Sequence, residues 1–340
     1  MSDVFSTVSR RSLLKGATAV AGAAALGSFP LRQAKAEKFP SKSMRVAIPT
    51  GEGGGVDEAA RAFTSVWTKK LGESFEYSYY PGASGQVGYE IFVKKLESDC
   101  HTLLFGNIGP EMIMYATQNP GYKFPDDYIY FASIDVDDSV IWVGKNSKFQ
   151  TIQALVEEGK KRTVNFSTSR LPHPSSLGVL ALAEATGAKF KLVPYGGGNA
   201  ARSAAITGEV DACATFMSSS FKFVDQIKFL TVFAEKNRMP ALTGNAPTVN
   251  AAFGTKIPAL TGNRAWAIQS KAIKEYPERY EILKKTVKET FEDPAYRKEV
   301  EKGKTPWEFA EFADEAACTQ SAQEIMAMAA KYKSLITATK

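Results

Sequence analysis

"IPTGEGGGVDEAAR", Ile48 to Arg61, sets an apolar strand-like run against four glycines and an acidic residue, then passes into an alanine-rich helical pattern. Strand, glycine loop and helix start in that order are the local signature of an α/β unit. Glycines let backbone N–H groups approach a ligand with no Cβ in the way. The first turn of the following helix leaves donors unpaired, with about half a positive charge behind them. The loop therefore suits an anion. Asp57 reads as the cap of this helix, accepting N–H bonds two or three residues on. Arg61, one turn inside, either ties down the loop or lies on a solvated face.

The same plan recurs about 145 residues later in "LVPYGGGNAARSAAI", Leu192 to Ile206: apolar strand, proline, three glycines, then Ala-Ala-Arg opening a helix. In open α/β sheets ligands bind outside the carboxyl ends of the strands, so two facing lobes would aim both loops into one cleft. Strand-like runs include "MRVAIPT", "SFEYSYY", "HTLLFGN", "SVIWVGK", "TVNFSTS", "KFKLVPY", "DACATF", "KFLTVFAE" and "RAWAIQS", and helical stretches alternate with most of them. In "AARAFTSVWTKKLG", Ala60, Phe63, Trp67 and Leu71 share a face and Gly72 supplies the stop. "YEILKKTVKETF" repeats Tyr280, Leu283, Val287 and Phe291, and "EDPAY" offers a cap with Pro294 in the first turn. A last helix is expected through Ala317, Ser321, Met328 and Tyr332 to Leu335. This alternation predicts an α/β chain with two doubly wound lobes, largely parallel sheets and helices on both faces.

The N-terminus reads as an export leader: paired Arg10 and Arg11, a weakly apolar run from Ala17 to Phe29, and Ala34-Lys35-Ala36 as a small-x-small cleavage site. The run is too short for a membrane span, and the twin arginines resemble the twin-arginine type. No cysteine precedes Cys100, which excludes a lipid anchor on an N-terminal cysteine. The mature protein is thus expected in the periplasm. Residues 1–36 hold five of the 42 Lys/Arg and one of the 36 Asp/Glu, so 37 cations face 35 anions in the remainder, a balance of +2. With no basic run and no RNA-type aromatic motif left, nucleic acid is not an expected partner.

Enzyme chemistry finds little footing. His101 and His173 occur in no HxxxH or HExxH spacing, so no metal site is expected, and there is no G-x-S-x-G elbow. His173 with Ser169, Ser175 and Ser176 lies too close in one loop to make a triad. "GGGNAA" fits G-x-G-x-x-A, yet Glu209 and Asp211 come too early for a dinucleotide site. No cofactor and no catalytic residue is expected, although a twin-arginine leader often accompanies a cofactor-bearing exported enzyme. Cys100, Cys213 and Cys318 are widely spaced and read as buried thiols.

Five blocks together resemble a known family. "IPTGEGGGVDEAAR", "YPGASGQVGYEIF", "SDCHTLLFGN", "VPYGGGNAARSAAITGEVDACATF" and "FLTVFAEKNRMPALTGNAPTVNAA" are similar, in order, to blocks of the solute-binding proteins of tripartite tricarboxylate transporters, the TctC or Bug family. The resemblance covers about residues 44 to 253. It implies a type II periplasmic binding-protein fold and a monomer that closes on a small organic carboxylate and delivers it to membrane permease subunits. A receptor coupled to a sensor kinase is the alternative. The implied division is a signal peptide over residues 1–36, lobe one over residues 38–140 and 260–340, and lobe two over residues 141–259.

Carried onto this chain, the first lobe's ligand residues are Thr50, Gly51, Glu52, Gly53, Gly54 and Asp57, with Ser84, Gly85 and Asn107. The second lobe offers Thr168, Ser169, Arg170, His173, Ser175, Ser176, Tyr195, Gly196, Gly197 and Asn199. Three departures from the family pattern stand out. Ser176 stands where the family has a histidine, with Pro172-His173 before it. Arg170 is extra, and either clamps a carboxylate bidentately or decorates a surface loop. Glu52 replaces an uncharged residue; two like charges at roughly 4 Å and an effective dielectric near 20 cost about 4 kcal/mol, so Glu52 either turns to solvent or meets a donor group on the ligand. Most aromatics of the alternating strands read as core; Tyr80 and Tyr195 alone have ligand contact as an alternative to that reading.

Overall fold

A computed structural model describes residues 38–337; the expected leader lies outside these residues. The strands in chain order are β1 Met44–Ile48, β2 Phe75–Tyr79, β3 Thr102–Asn107, β4 Tyr128–Asp135, β5 Asp137–Gly144 and β6 Val164–Thr168. They continue as β7 Phe190–Pro194, β8 Ala212–Phe216, β9 Ile227–Val232, β10 Thr261–Gly262, β11 Arg264–Gln269 and β12 Ala310–Asp314. The helices are α1 Gly55–Leu71, α2 Gln86–Lys95, α3 Ile108–Gln118, α4 Ile152–Lys161, α5 Pro174–Thr186 and α6 Gly198–Thr207. After them come α7 Val249–Phe253, α8 Ser270–Glu275, α9 Pro277–Phe291, α10 Pro294–Lys302, α11 Glu315–Lys331 and α12 Lys333–Thr337.

Two sheets result, ordered β12-β4-β11-β3-β1-β2 and β10-β5-β8-β6-β7, with β9 also paired to β5. The cores β2-β1-β3 and β7-β6-β8 are parallel, as strand–helix alternation requires. The remaining strands correct the expectation of largely parallel sheets: β11 runs antiparallel to both β3 and β4, β12 to β4, and β5 to β8 and β9. These antiparallel members include the strands by which the chain changes sheet, between Asp135 and Asp137 and again between Gly262 and Arg264. The two glycine-loop units are also not equivalent. β1 lies between β2 and β3, whereas β7 closes the end of its sheet, so the counterpart of β1 by position is β6.

The helices form where their apolar stripes predict. α1 buries Ala60, Phe63, Trp67 and Leu71 and stops at Gly72 in the left-handed region. Its rings join a cluster in which Trp67 and Phe105 lie 5.0 and 4.4 Å from Trp266, and Trp67 Nε1 donates to Thr286 Oγ1 at 2.8 Å. Each such side chain contributes about 1.5–3 kcal/mol by burial, which fastens α1 and α9 to the first sheet. Asp293 caps α10 with Pro294 next, as expected. The last helix is instead two, α11 and α12, broken at Tyr332. All three cysteines are free and buried.

At the crossover the backbone is held by charge. Arg264 donates from Nη1 to Asp135 and from Nη2 to Asp137 Oδ2 at 3.1 Å, and Ser218 bonds Asp137 from both its amide and hydroxyl. Burial pushes both carboxyls up against the pull of the single guanidinium between them.

Candidate functional site

The carboxyl ends of β1, β3, β6, β7 and β8 converge on one cleft of about 140 Å3. That size suits a small metabolite; drug-sized sites run to roughly 300–1,000 Å3. Pro49, Thr50, Gly51, Gly54 and Gly55 after β1, Ser84 and Gly85 before α2, and Asn107 at the end of β3 form one wall. Ser169, Arg170 and His173 before α5, Gly196 to Gly198 and Arg202 of α6, and Thr215, Phe216 and Ser219 form the other, with Arg264 at the crossover. Five helices, α1, α2, α3, α5 and α6, therefore begin at this cleft. Gly54 and Gly197 stand at the cap positions of α1 and α6, and neither helix has a side-chain cap.

The helix starts differ in charge. α1 carries Asp57 and Glu58 in its first turn, whereas α5 and α6 carry no acidic residue there. Asp57 corrects the expectation of an N-cap: it is the third helical residue and bonds backwards, accepting from the Gly53 amide at 2.8 Å, Arg61 Nε at 2.9 Å and Tyr79 OH at 2.9 Å. The α1 terminus thus already holds an anion of its own, and the Gly53 amide is spent on it. Glu52 turns outward, its side chain 71% exposed and 3.7 Å from Arg61.

Among the described residues, three arginines and no Asp or Glu line the cleft. Arg170 clamps a carboxylate, but that of the protein. Its Nη1 and Nη2 meet Glu111 Oε2 and Oε1 at 2.7 and 3.2 Å, and Nη1 also donates to Ser84 O at 2.8 Å. Arg170 is 8% exposed and Glu111 fully buried, so this pair ties the loop after β6 to α3 across the cleft. Burial pushes the Glu111 carboxyl up despite Arg170. The approach needs Gly85, whose φ is +103 and where a Cβ would sit 2.9 Å from Arg170 Nη1. Ala83 and Ser84 also have positive φ, a conformation costing non-glycine residues roughly 1–2 kcal/mol each and typical of backbone held at a functional site.

Arg264 is matched by Asp135 and Asp137. Arg202 differs. It is 1% exposed, donates to Ser219 Oγ at 3.2 Å and Asn199 Oδ1 at 2.5 Å, and leaves Nε without a partner. Among the described residues it forms no ion pair. Burial disfavours its charged form, against the longer-range pull of Glu58 and Asp137, and the guanidinium lies over the Phe223 ring at 5.6 Å; since it does not deprotonate in proteins, a cation with no directly bonded carboxylate lines the cleft. Gly198 permits this placement, since a Cβ there would lie 2.9 Å from Arg202 Nη1.

Of the residues expected from sequence, Thr50, Gly51, Gly54, Ser84, Gly85, Asn107, Ser169, Arg170, His173, Gly196 and Gly197 are brought together in the lining. Glu52, Gly53, Asp57, Thr168, Ser175, Ser176, Tyr195 and Asn199 stand outside it, as does Tyr80. Thr168 and Ser176 hydroxyls hold the Arg170 carbonyl at 3.2 and 3.1 Å and so position its loop. Asn199 bridges the cleft, accepting from Arg202 and donating to Gly53 O. Tyr195 bonds Glu209. His173 caps α5, its Nδ1 accepting from the Ser175 amide at 3.1 Å; burial and Arg170 hold the ring neutral, which leaves the proton on Nε2. Sequence reasoning missed Arg202, Thr215, Phe216, Ser219 and Arg264. Arg202 was legible in principle, because its neighbours Ala201, Ala204 and Ala205 are the buried stripe of α6.

The profile of the family described as "Tripartite tricarboxylate transporter family receptor" matches residues 59–339. The UPF0065 protein in the TAR-I ttuE-ttuC' intergenic region of Agrobacterium vitis is 31% identical over 180 residues, 52% of each chain. This chain spans about half to three fifths of the length of the curated relatives it matches. Among solved structures, the periplasmic binding protein BugD superposes with a TM-score of 0.75 at 18% identity, covering 87% of this chain and 98% of that one. MatC from Rhodopseudomonas palustris with bound malate gives 0.74 at 18%, covering 88% and 100%. At this identity the likeness establishes the fold: the type II periplasmic binding-protein fold, two doubly wound lobes with a cleft between them.

Proposed function

The chain belongs to the tripartite tricarboxylate transporter receptor family, and on that premise we propose that it is a non-enzymatic periplasmic receptor for a small organic carboxylate. It captures the acid between its lobes as a monomer and delivers it to the membrane permease subunits of a tripartite tricarboxylate-type transporter, after export by the twin-arginine route. The observation that carries this reading is the lining: among the described residues, three arginines, five helix starts and no carboxylate side chain. MatC, of like fold, is seen with malate. The commitment of His173 Nδ1 to a helix cap argues against a role for it as a base. Among the described residues no helix is long and apolar enough to cross a membrane. We place the lobe boundaries where the strands change sheet, between Asp135 and Asp137 and between Gly262 and Arg264. The ligand enters an open form, and the closed form is favoured by contacts that only it makes.

Thermal-shift screening of the mature protein with mono-, di- and tricarboxylates and amino acids tests capture. A ligand at 100 times its Kd adds about 2.7 kcal/mol, which raises the melting temperature of a chain this long by roughly 4 °C. If no carboxylate shifts the transition, the receptor reading is wrong. Uptake into cells lacking the gene, restored by the gene with its leader and not without it, tests delivery and export together.

A further inference from the structure

The arginines of the cleft are not equal, and their differences specify the ligand more narrowly than the family does. Arg170 is neutralised by Glu111, and Arg264 by Asp135 and Asp137. At the rim Lys222 pairs with Glu58. The α1 side of the cleft is already acidic, because Asp57 and Glu52 share the single cation Arg61. What remains is Arg202, nearly sealed from solvent, with one unpartnered nitrogen and no carboxylate partner. It belongs to α6, on the wall of the cleft that also holds the starts of α5 and α6, whose first turns hold no acidic residue. A buried charge with no anion bonded to it is costly unless something pairs with it. We propose that the cleft selects a monoanionic carboxylic acid, its carboxylate seated on Arg202 at the α5 and α6 starts of the second lobe and its uncharged far end against Thr50, Ser84 and Asn107 of the first.

This inference rests on the carboxylate-receptor reading. A second carboxylate on the ligand would lie towards Asp57 and Glu52 with every nearby cation already engaged. Across roughly 8 Å at an effective dielectric near 20 such repulsion weakens binding about 30-fold. The experiment is calorimetric titration at pH 7.5 of length-matched pairs, four- and five-carbon diacids against their monoamides, with wild type and Arg202→Met. The monoamide is expected to bind at least about 30-fold more tightly than its diacid. Arg202→Met is expected to lose at least about 100-fold for every acid while raising the melting temperature of the ligand-free protein, since it removes an unpaired buried charge. A merely structural arginine would instead lower that temperature. Diacids that bind as tightly as the monoamides, or an Arg202→Met protein that keeps its affinity, would overturn the inference and leave the receptor reading standing. If no acid binds wild type, both fall.

Discussion

Glu111→Gln tests how the lobes are held together. The Arg170–Glu111 pair is buried, bidentate and built from opposite walls of the cleft, so it exists in full only when the walls meet. Removing one partner of a buried pair costs about 3–5 kcal/mol, because the other charge is left uncompensated. In the open form Arg170 is solvated and that penalty vanishes. The whole cost therefore falls on the closed, ligand-holding form, and the affinity for a monocarboxylate should drop by roughly 150- to 5,000-fold. The bond from Arg170 to the Ser84 carbonyl recovers part of this and favours the lower figure. A diacid responds differently, since its second carboxylate can replace Glu111 on Arg170, and the preference between monoamide and diacid should invert. The double variant Glu111→Met with Arg170→Met has no charge to strand, and should return to within about tenfold of wild type for the monocarboxylate. Calorimetry on the three proteins, with melting curves of each in ligand-free form, decides the matter. Unchanged affinity in Glu111→Gln, or a ligand-free protein destabilised by the full 3–5 kcal/mol, would mean that the pair is an ordinary structural contact and not one made on closure.

Three further outcomes are expected. Burial pushes the Asp138 carboxyl up to about 6, against the attraction of Arg238 Nε at 3.1 Å. The folded protein then holds this proton more tightly than the unfolded chain, whose value is near 3.9; the contribution is present in full below about pH 4 and lost as pH rises through 6, up to roughly 3 kcal/mol. Asp138→Asn should flatten the fall of stability between pH 4 and 7, only in part because Asp135, Asp137 and Glu111 are shifted in the same sense, and an unaltered slope in urea melts refutes the assignment. Gly198→Ala places a methyl 2.9 Å from Arg202 Nη1 and should cost at least about tenfold in affinity with no fall in melting temperature, alanine being the better helix former by about 1 kcal/mol; retained affinity would show that the guanidinium is not the anchor. Thr286→Val strands the buried Trp67 indole N–H and should cost about 1–3 kcal/mol in urea unfolding, with less than 0.5 kcal/mol counting against the bond.

The strand and helix pattern was legible because each element is written locally. The stripe Ala60, Phe63, Trp67 and Leu71 with Gly72 after it can form little else, and "EDPAY" carries its own cap. β4 escaped notice for an equally local reason: "YIYFASIDVDDSVIWVG" is one strand-like run that the fold divides at Val136, and nothing in it marks where a strand leaves one sheet for the other; the short β10 and β12, elsewhere in the chain, escaped notice as well. The site divides along the same line. Glycine loops and strand ends predict where a cleft will be, and eleven of the expected residues do line it. Which cation in that cleft is free is a different kind of fact. Arg61, Arg170, Arg202 and Arg264 look alike in sequence, and what separates them is which carboxylates fold back onto them: Asp57 from four residues away, Glu111 from 59, Asp135 from 129, and none for Arg202. A ligand's charge is set by that remainder and not by the number of basic residues in the lining. It follows that relatives sharing every glycine of the two loops can differ in ligand charge through a single change at position 111 or 202, with no change of fold.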